Sequence, residues 1–150
     1  MRRREKQITR TADIEEILQQ GQVCRLGFAD RNVPYIVPMN YGYQDSALYF
    51  HSAPEGRKID LIRANPLVCF EVDELVKMNK AANACDWGAS FKSVIGTGTA
   101  RILDTPEEKK AGLDIIMAQY SDRSFNYPDG KLAKTAVIKV TIEEMTGKQG

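Results

Sequence analysis

The 150-residue chain carries a single histidine, His51, only three cysteines and one tryptophan. Each scarcity removes a class of chemistry. One histidine cannot build a histidine-rich metal centre, and Cys24, Cys69 and Cys85 show no CxxC or His-paired spacing, so no metal site is expected. An odd number of cysteines also argues against a disulfide framework. Cys24 and Cys69 fall in apolar, strand-like runs and read as buried filler, and Cys85, beside Asp86 and Trp87, reads as a packing residue. Charge of one sign is missing as well: 21 basic and 20 acidic residues leave a formal net charge of +1. That balance provides no broad positive field for nucleic acid or an acidic membrane, so neither is expected as a partner. Only the start, Met1-Arg2-Arg3-Arg4, is locally basic, and it reads as a solvated, frayed terminus without function. Apolar runs are short and broken by charge. Neither a transmembrane helix nor a secretory signal is therefore expected, and the expected location is cytoplasmic.

Familiar catalytic templates are absent too. There is no Walker P-loop and no GxSxG, and Gly96-Thr97-Gly98 lacks the third glycine and following helix of a dinucleotide fingerprint. No spacing pairs two carboxylates for acid-base work.

What is present suffices for one core: 43% of residues are hydrophobic, and one domain over 1–150 is expected. In TADIEEILQQG, Thr11 can cap a helix, Asp13 and Glu15 suit its first turn, Ile14, Ile17 and Leu18 form one stripe, and Gly21 stops it. From Val23 to Phe50, β-branched and aromatic residues broken at Asp30-Arg31-Asn32 and Gln44-Asp45-Ser46 predict three antiparallel strands. Glu55 to Ala64 has a helical face ended by Asn65-Pro66, and a strand follows at Leu67 to Val72. Asp73 to about Gly88 reads as polar and irregular. The run SFKSVIGTGTARIL alternates Val94, Gly96, Gly98, Ala100 and Ile102 with Ile95, Thr97, Thr99, Arg101 and Leu103, and the small residues on the first face invite close approach by another body. Thr105-Pro106-Glu107-Glu108 opens a helix with the stripe Leu113, Ile116, Met117 and Tyr120. A loop covers Ser121 to Gly130, and Ala136 to Ile142 is the last strand. About six strands and three helices in hairpin order predict a mainly β protein with peripheral helices, a closed or partly closed barrel.

The stretch YFHSAPEGRK, Tyr49 to Lys58, is a strand-to-helix junction, where binding and catalytic residues are often placed. Arg57 and Lys58 sit in the first turn of the expected helix, where positive charge is unfavourable unless an anion is near. Free N–H groups there, the Ser52 hydroxyl and the two cations could surround a phosphate, with Gly56 removing side-chain bulk. The alternative is a solvated pair on a surface helix. His51 is open in the same way, between a structural role at a strand end and a proton-exchanging one.

In order along the chain, Val33-Pro34-Tyr35-Ile36-Val37-Pro38-Met39-Asn40-Tyr41, Leu48-Tyr49-Phe50-His51-Ser52-Ala53, Gly56-Arg57-Lys58, Phe91-Lys92-Ser93-Val94-Ile95-Gly96 and Met145-Thr146-Gly147-Lys148 carry a resemblance. They resemble the nitroimidazole-resistance branch of the pyridoxamine 5′-phosphate oxidase-like, flavin-binding split-barrel family. The resemblance implies a six-stranded antiparallel split barrel and a homodimer with FMN, or FAD, in clefts between the subunits. It implies that Pro38, Met39 and Asn40 run along the flavin ring, that His51 and Ser52 lie beside it, and that Arg57 and Lys58 neutralise its phosphate. Trp87, Phe91 and Ser93 of the opposite subunit would close the pocket, and the cleft would account for the glycine face. The implied activity is a flavin-dependent oxidoreductase of the nitroimidazole reductase type. Electrons would pass from a nicotinamide donor through the flavin to a small acceptor such as a nitroaromatic, with His51 the candidate catalytic side chain. The alternatives are a flavin- or haem-binding module without turnover, a pyridoxamine phosphate oxidase-like enzyme, and a stress-associated homodimer with an empty cleft.

Overall fold

Eight strands, all paired antiparallel, form one sheet in the order β3-β2-β6-β7-β8-β5-β4, with β1 beside β8. The strands are β1 (Gln7–Ile8), β2 (Cys24–Asp30), β3 (Val33–Met39), β4 (Gly42–Gln44), β5 (Ala47–Ser52), β6 (Leu67–Asn79), β7 (Gly88–Ile102) and β8 (Ala136–Gln149). Helices α1 (Thr11–Gln20), α2 (Arg57–Ala64), α3 (Pro106–Ala118) and the short α4 (Asp129–Leu132) lie around it. This is a computed structural model, and it describes residues 3–150, so Met1 and Arg2 of the basic start lie outside the described residues. Arg4–Lys6 is a 3-10 turn leading into β1, which pairs with β8 from Gln7 onward.

Topology dictates the barrel. The two ends of the ladder, β3 and β4, are consecutive in the chain and joined only by Asn40 and Tyr41. Two residues span at most about 10 Å between their neighbours' Cα atoms, so the sheet must curl until its ends meet. Alternation then sets an inside and an outside. Leu26, Phe28, Phe50, Val68, Phe70, Val94, Ile138 and Val140 point inward and are buried, and α1 closes one end with Ile14, Ile17 and Leu18 while α2 adds Ile59, Leu61 and Ile62.

Local signals were followed where they were strongest. Thr105 accepts from the Glu108 backbone N–H, while the Glu108 carboxylate reaches back to the Thr105 N–H, a full capping box with Pro106 in the first turn. Asp45 and Ser46, at φ 50° and 55°, make the two-residue hairpin turn between β4 and β5. Thr11 does not cap α1; it is the first helical residue, and Arg10 holds the cap position without a side-chain bond.

Several expectations are corrected. The segment from Val23 to Phe50 holds the strands β2, β3, β4 and β5 up to its end, one more than the three expected, because Asn40-Tyr41 interrupts pairing. β6 does not stop at Val72 but runs to Asn79, and β8 continues to Gln149. From Asp73 to Asn79 every residue is exposed, so no inside-outside alternation marked this stretch as a strand, and only pairing with β7 makes it one. Cys69 is exposed rather than buried, as is Cys85, whereas Cys24 is fully buried. The glycine face turns inward: a Cβ on Gly96 would overlap the Phe70 ring, and one on Gly98 would overlap the Thr141 carbonyl. Gly96 packs the barrel core, whereas Gly98 lies at the bulge after Thr97 and lines a second groove with Gly27, Cys69 and Thr97.

Candidate functional site

The barrel is left open along one seam. β4 pairs with β5 only as far as Tyr49, so His51 and Ser52 are bonded to Val137 and Ala136 on one side and have no strand partner on the other among the described residues. Among the described residues β3 pairs only with β2, leaving its second edge free. Pro34 and Pro38 suit that edge, since proline has no N–H to give a neighbouring strand. Between these two edges lies a groove of about 500 Å³, lined by Tyr35, Val37, Pro38, Met39, Asn40, His51, Ser52, Ala53 and Lys58. That size suits a bound cofactor. Free backbone donors and acceptors along both walls suit a flat ligand with polar atoms on its rim.

At the end of the groove the chain turns into α2. Gly56 takes φ 114°, a conformation that other L residues adopt at a cost, and the space around its α-carbon is open. α2 starts without a side-chain cap, so its first N–H groups are available to an anion. Lys58 is half-buried in the groove wall and has no carboxylate within ion-pairing distance among the described residues. Ser52 Oγ donates to the Ala53 carbonyl at 2.7 Å, which leaves its oxygen lone pairs free.

Of the residues singled out from sequence, the fold brings Pro38, Met39, Asn40, His51, Ser52 and Lys58 together in one groove. Arg57 is not among the lining residues but packs against one of them. Its guanidinium pairs with Asp30 at 3.1 Å and lies 4.4 Å above the centre of the Tyr35 ring. The anion that its helix position calls for is therefore supplied by the protein. Trp87, Phe91 and Ser93 are on the β6–β7 arm and not in this chain's groove. Trp87 donates its indole N–H to the Ala81 carbonyl at 2.8 Å and is 48% exposed. Phe91 has the Lys6 and Lys148 ammonium groups 5.9 and 5.3 Å from its ring centre. Sequence reasoning assigned no role to Tyr35 or Ala53, which also line the groove; alternation along β3 places Tyr35 with Val37 and Met39 and was the available signal.

A curled antiparallel sheet with one open seam, ending at a cation that has no ion-pair partner among the described residues, defines a split barrel. Residues 10–149 match the family described as pyridoxamine 5′-phosphate oxidase, and the chain belongs to that family. A candidate 5-nitroimidazole antibiotic resistance protein from Bacteroides thetaiotaomicron is 35% identical, covering 95% of this chain and 86% of that one, with a TM-score of 0.86. An FAD-binding protein from Mesorhizobium loti is 27% identical over 95% of this chain and 96% of that one, with a TM-score of 0.71. An uncharacterised protein of Rhizobium meliloti is 34% identical over 86 residues, 57% of this chain, and the matched stretch spans 50% of that protein's length. The family and the nitroimidazole-resistance likeness expected from the sequence are thus both found.

Proposed function

We propose that the protein is a flavin-dependent oxidoreductase of the nitroimidazole reductase type, working as a cytoplasmic homodimer. The observation that carries this reading is the seam groove, where two unpaired strand edges converge on Lys58 at the uncapped start of α2. A phosphorylated isoalloxazine fits these residues. Lys58, the Ser52 hydroxyl and the first N–H groups of α2 would hold the phosphate of FMN, or the nearer phosphate of FAD. Pro38, Met39 and Asn40 would run along the ring, their free strand edge supplying donors and acceptors to its rim. His51 would lie beside the ring on the opposite wall, placed to give a proton or a polar contact to an acceptor. Trp87, Phe91 and Ser93 of the partner subunit would cover the open side, an aromatic wall suiting a flat π-system. Arg57 would act one step back, its pairing with Asp30 fixing the helix start that presents Lys58.

When bound, the flavin supplies the redox chemistry, accepting electrons from NADH or NADPH and passing them to a small acceptor such as a nitroaromatic. The chain's part is to bind, orient and cover it, which agrees with a groove holding one histidine and no paired carboxylates. The test is an absorbance spectrum of freshly purified protein, then FMN and FAD titration, then anaerobic turnover of a nitroimidazole with NADH and NADPH. Flavin binding with nicotinamide-driven loss of the nitro chromophore is expected. Failure to bind either flavin would sink the proposal, and binding without reduction would make the protein a flavin carrier or sensor.

A further inference from the structure

We infer that Tyr120 is a positioning residue for the groove: with the Gln22 carbonyl, its hydroxyl holds the Asn40 side-chain amide so that Oδ1 faces the ligand as an acceptor for the imide N–H of an oxidised flavin. The inference rests on the flavin reading above. It starts from Asn40, which sits where β3 gives way to β4 and lines the groove. Its Nδ2 donates to the Gln22 carbonyl at 3.1 Å and lies 3.5 Å from Tyr120 Oη. The Tyr120 hydroxyl has one proton, which it donates to the same Gln22 carbonyl at 2.8 Å, while it accepts from the Tyr41 N–H at 2.9 Å. With that proton committed, both groups facing the amide are acceptors. The reverse amide orientation would set oxygen against two oxygens, so the nitrogen faces them and Oδ1 faces away. Among the described residues Oδ1 has no partner.

The chain leading into Gln22 is itself held. Gln119 Nε2 lies 2.9, 2.8 and 2.7 Å from the carbonyls of Leu18, Gln19 and Gly21, which share its two protons, and buried Tyr41 donates its hydroxyl to the Leu18 carbonyl at 2.6 Å. The end of α3 thereby ties the α1–β2 loop to the β3–β4 junction, and the groove inherits a fixed acceptor. Oxidised isoalloxazine has one ring N–H, in its imide. An immobilised acceptor therefore selects that edge of the ring.

The experiment measures affinities of the full-length protein for FMN and for 3-methyl-FMN, in which the imide N–H is replaced, by quenching of flavin fluorescence. The unaltered protein should prefer FMN by about tenfold, the loss expected for one unmade hydrogen bond. Asn40→Ala should abolish the preference, and Tyr120→Phe should reduce it to about threefold or less, by freeing the amide to rotate. The double variant should match Asn40→Ala, because the two residues act as one unit. A merely structural Tyr120 would weaken both ligands equally and leave their ratio unchanged. Full preference in Tyr120→Phe overturns the inference, as does no preference in unaltered protein that binds FMN. Should Tyr120→Phe fail to fold, the comparison of unaltered protein with Asn40→Ala still decides whether Oδ1 accepts the imide. If the unaltered protein binds neither FMN nor FAD, the flavin reading fails first and this inference falls with it.

Discussion

Lys58 and Arg57 are neighbours with the same charge, yet the fold gives them different tasks. Arg57 is satisfied by Asp30 and the Tyr35 ring, whereas Lys58 faces the groove with no carboxylate beside it among the described residues. Lys58→Ala should weaken FMN by roughly ten- to a hundredfold, the range of a lost charge-assisted bond, and leave riboflavin, which lacks the phosphate, almost unchanged. Arg57→Ala should weaken both ligands alike and more mildly, because it loosens the helix start rather than removing a phosphate contact. Titration of both ligands against both variants checks this; equal loss of both ligands in Lys58→Ala would put the phosphate elsewhere. The sequence made the cationic pair legible because two positive residues at a helix start conflict with the helix dipole. It could not divide the labour between them, since Asp30 lies 27 residues away on another element. The pairing of Tyr120 with Asn40 was hidden for the same reason: their proximity is a product of the completed fold, 80 residues apart in the chain.

Individual elements were most legible where a local rule settles the structure alone. Thr105 to Glu108 is such a case, and its electrostatics give a pH test. The Arg101 guanidinium at 2.8 Å, followed by the backbone N–H groups of Thr105 and Asp104, lowers the Glu108 carboxyl to about 2. A carboxyl depressed by folding stabilises the protein fully above its ordinary unfolded value, and that contribution fades as pH falls from there through about 2. Thermal midpoints of the unaltered protein should therefore fall more steeply below pH ~4, the ordinary carboxyl value, than those of Glu108→Gln, which has no proton to gain. Parallel curves would show the cap to be energetically idle. β7 gives a second test. Because Gly96 faces the Phe70 ring and the Glu144 carbonyl, Gly96→Ala should destabilise by roughly 1–3 kcal/mol through overpacking, read by denaturant unfolding, without changing flavin affinity in the folded fraction. Selective loss of flavin at unchanged stability would return this face to the cofactor. Alternation correctly put Gly96 and Gly98 on one face; it could not say whether that face was the inside of the barrel, because small residues suit a packed core and a ligand cleft equally.

For the whole molecule, a single chain leaves too much apolar surface facing out. Ile36, Leu67 and Ile95 are 62, 58 and 57% exposed on the outer face of the sheet, and Leu75, Val76 and Met78 extend the exposure along the β6–β7 arm. A spread of this kind marks an interaction surface more often than a free one. On β7 the residues Phe91, Ser93 and Ile95 share a side by alternation, so Phe91 and Ser93, two of the three residues proposed to cover the partner's groove, are continuous with the outer apolar face. Cys69, opposite Thr97 in the ladder, belongs to the same face. Cys24, by contrast, is inside the barrel, and burial pushes its thiol up to about 12. These positions make the proposed homodimer testable with thiols as well as mass. The unaltered protein should sediment as a dimer, with Cys85 reacting quickly, Cys69 slowly and Cys24 only on unfolding. Ile95→Glu places a charge on the face at a position more than half exposed in the single chain, so it should halve the mass, unmask Cys69 and release flavin while the fold, followed by circular dichroism, persists. A dimer that survives Ile95→Glu with Cys69 still shielded would mean that subunits meet elsewhere. A monomeric unaltered protein with fast Cys69 would remove the interface altogether, and with it the role proposed for Trp87, Phe91 and Ser93 of the partner subunit.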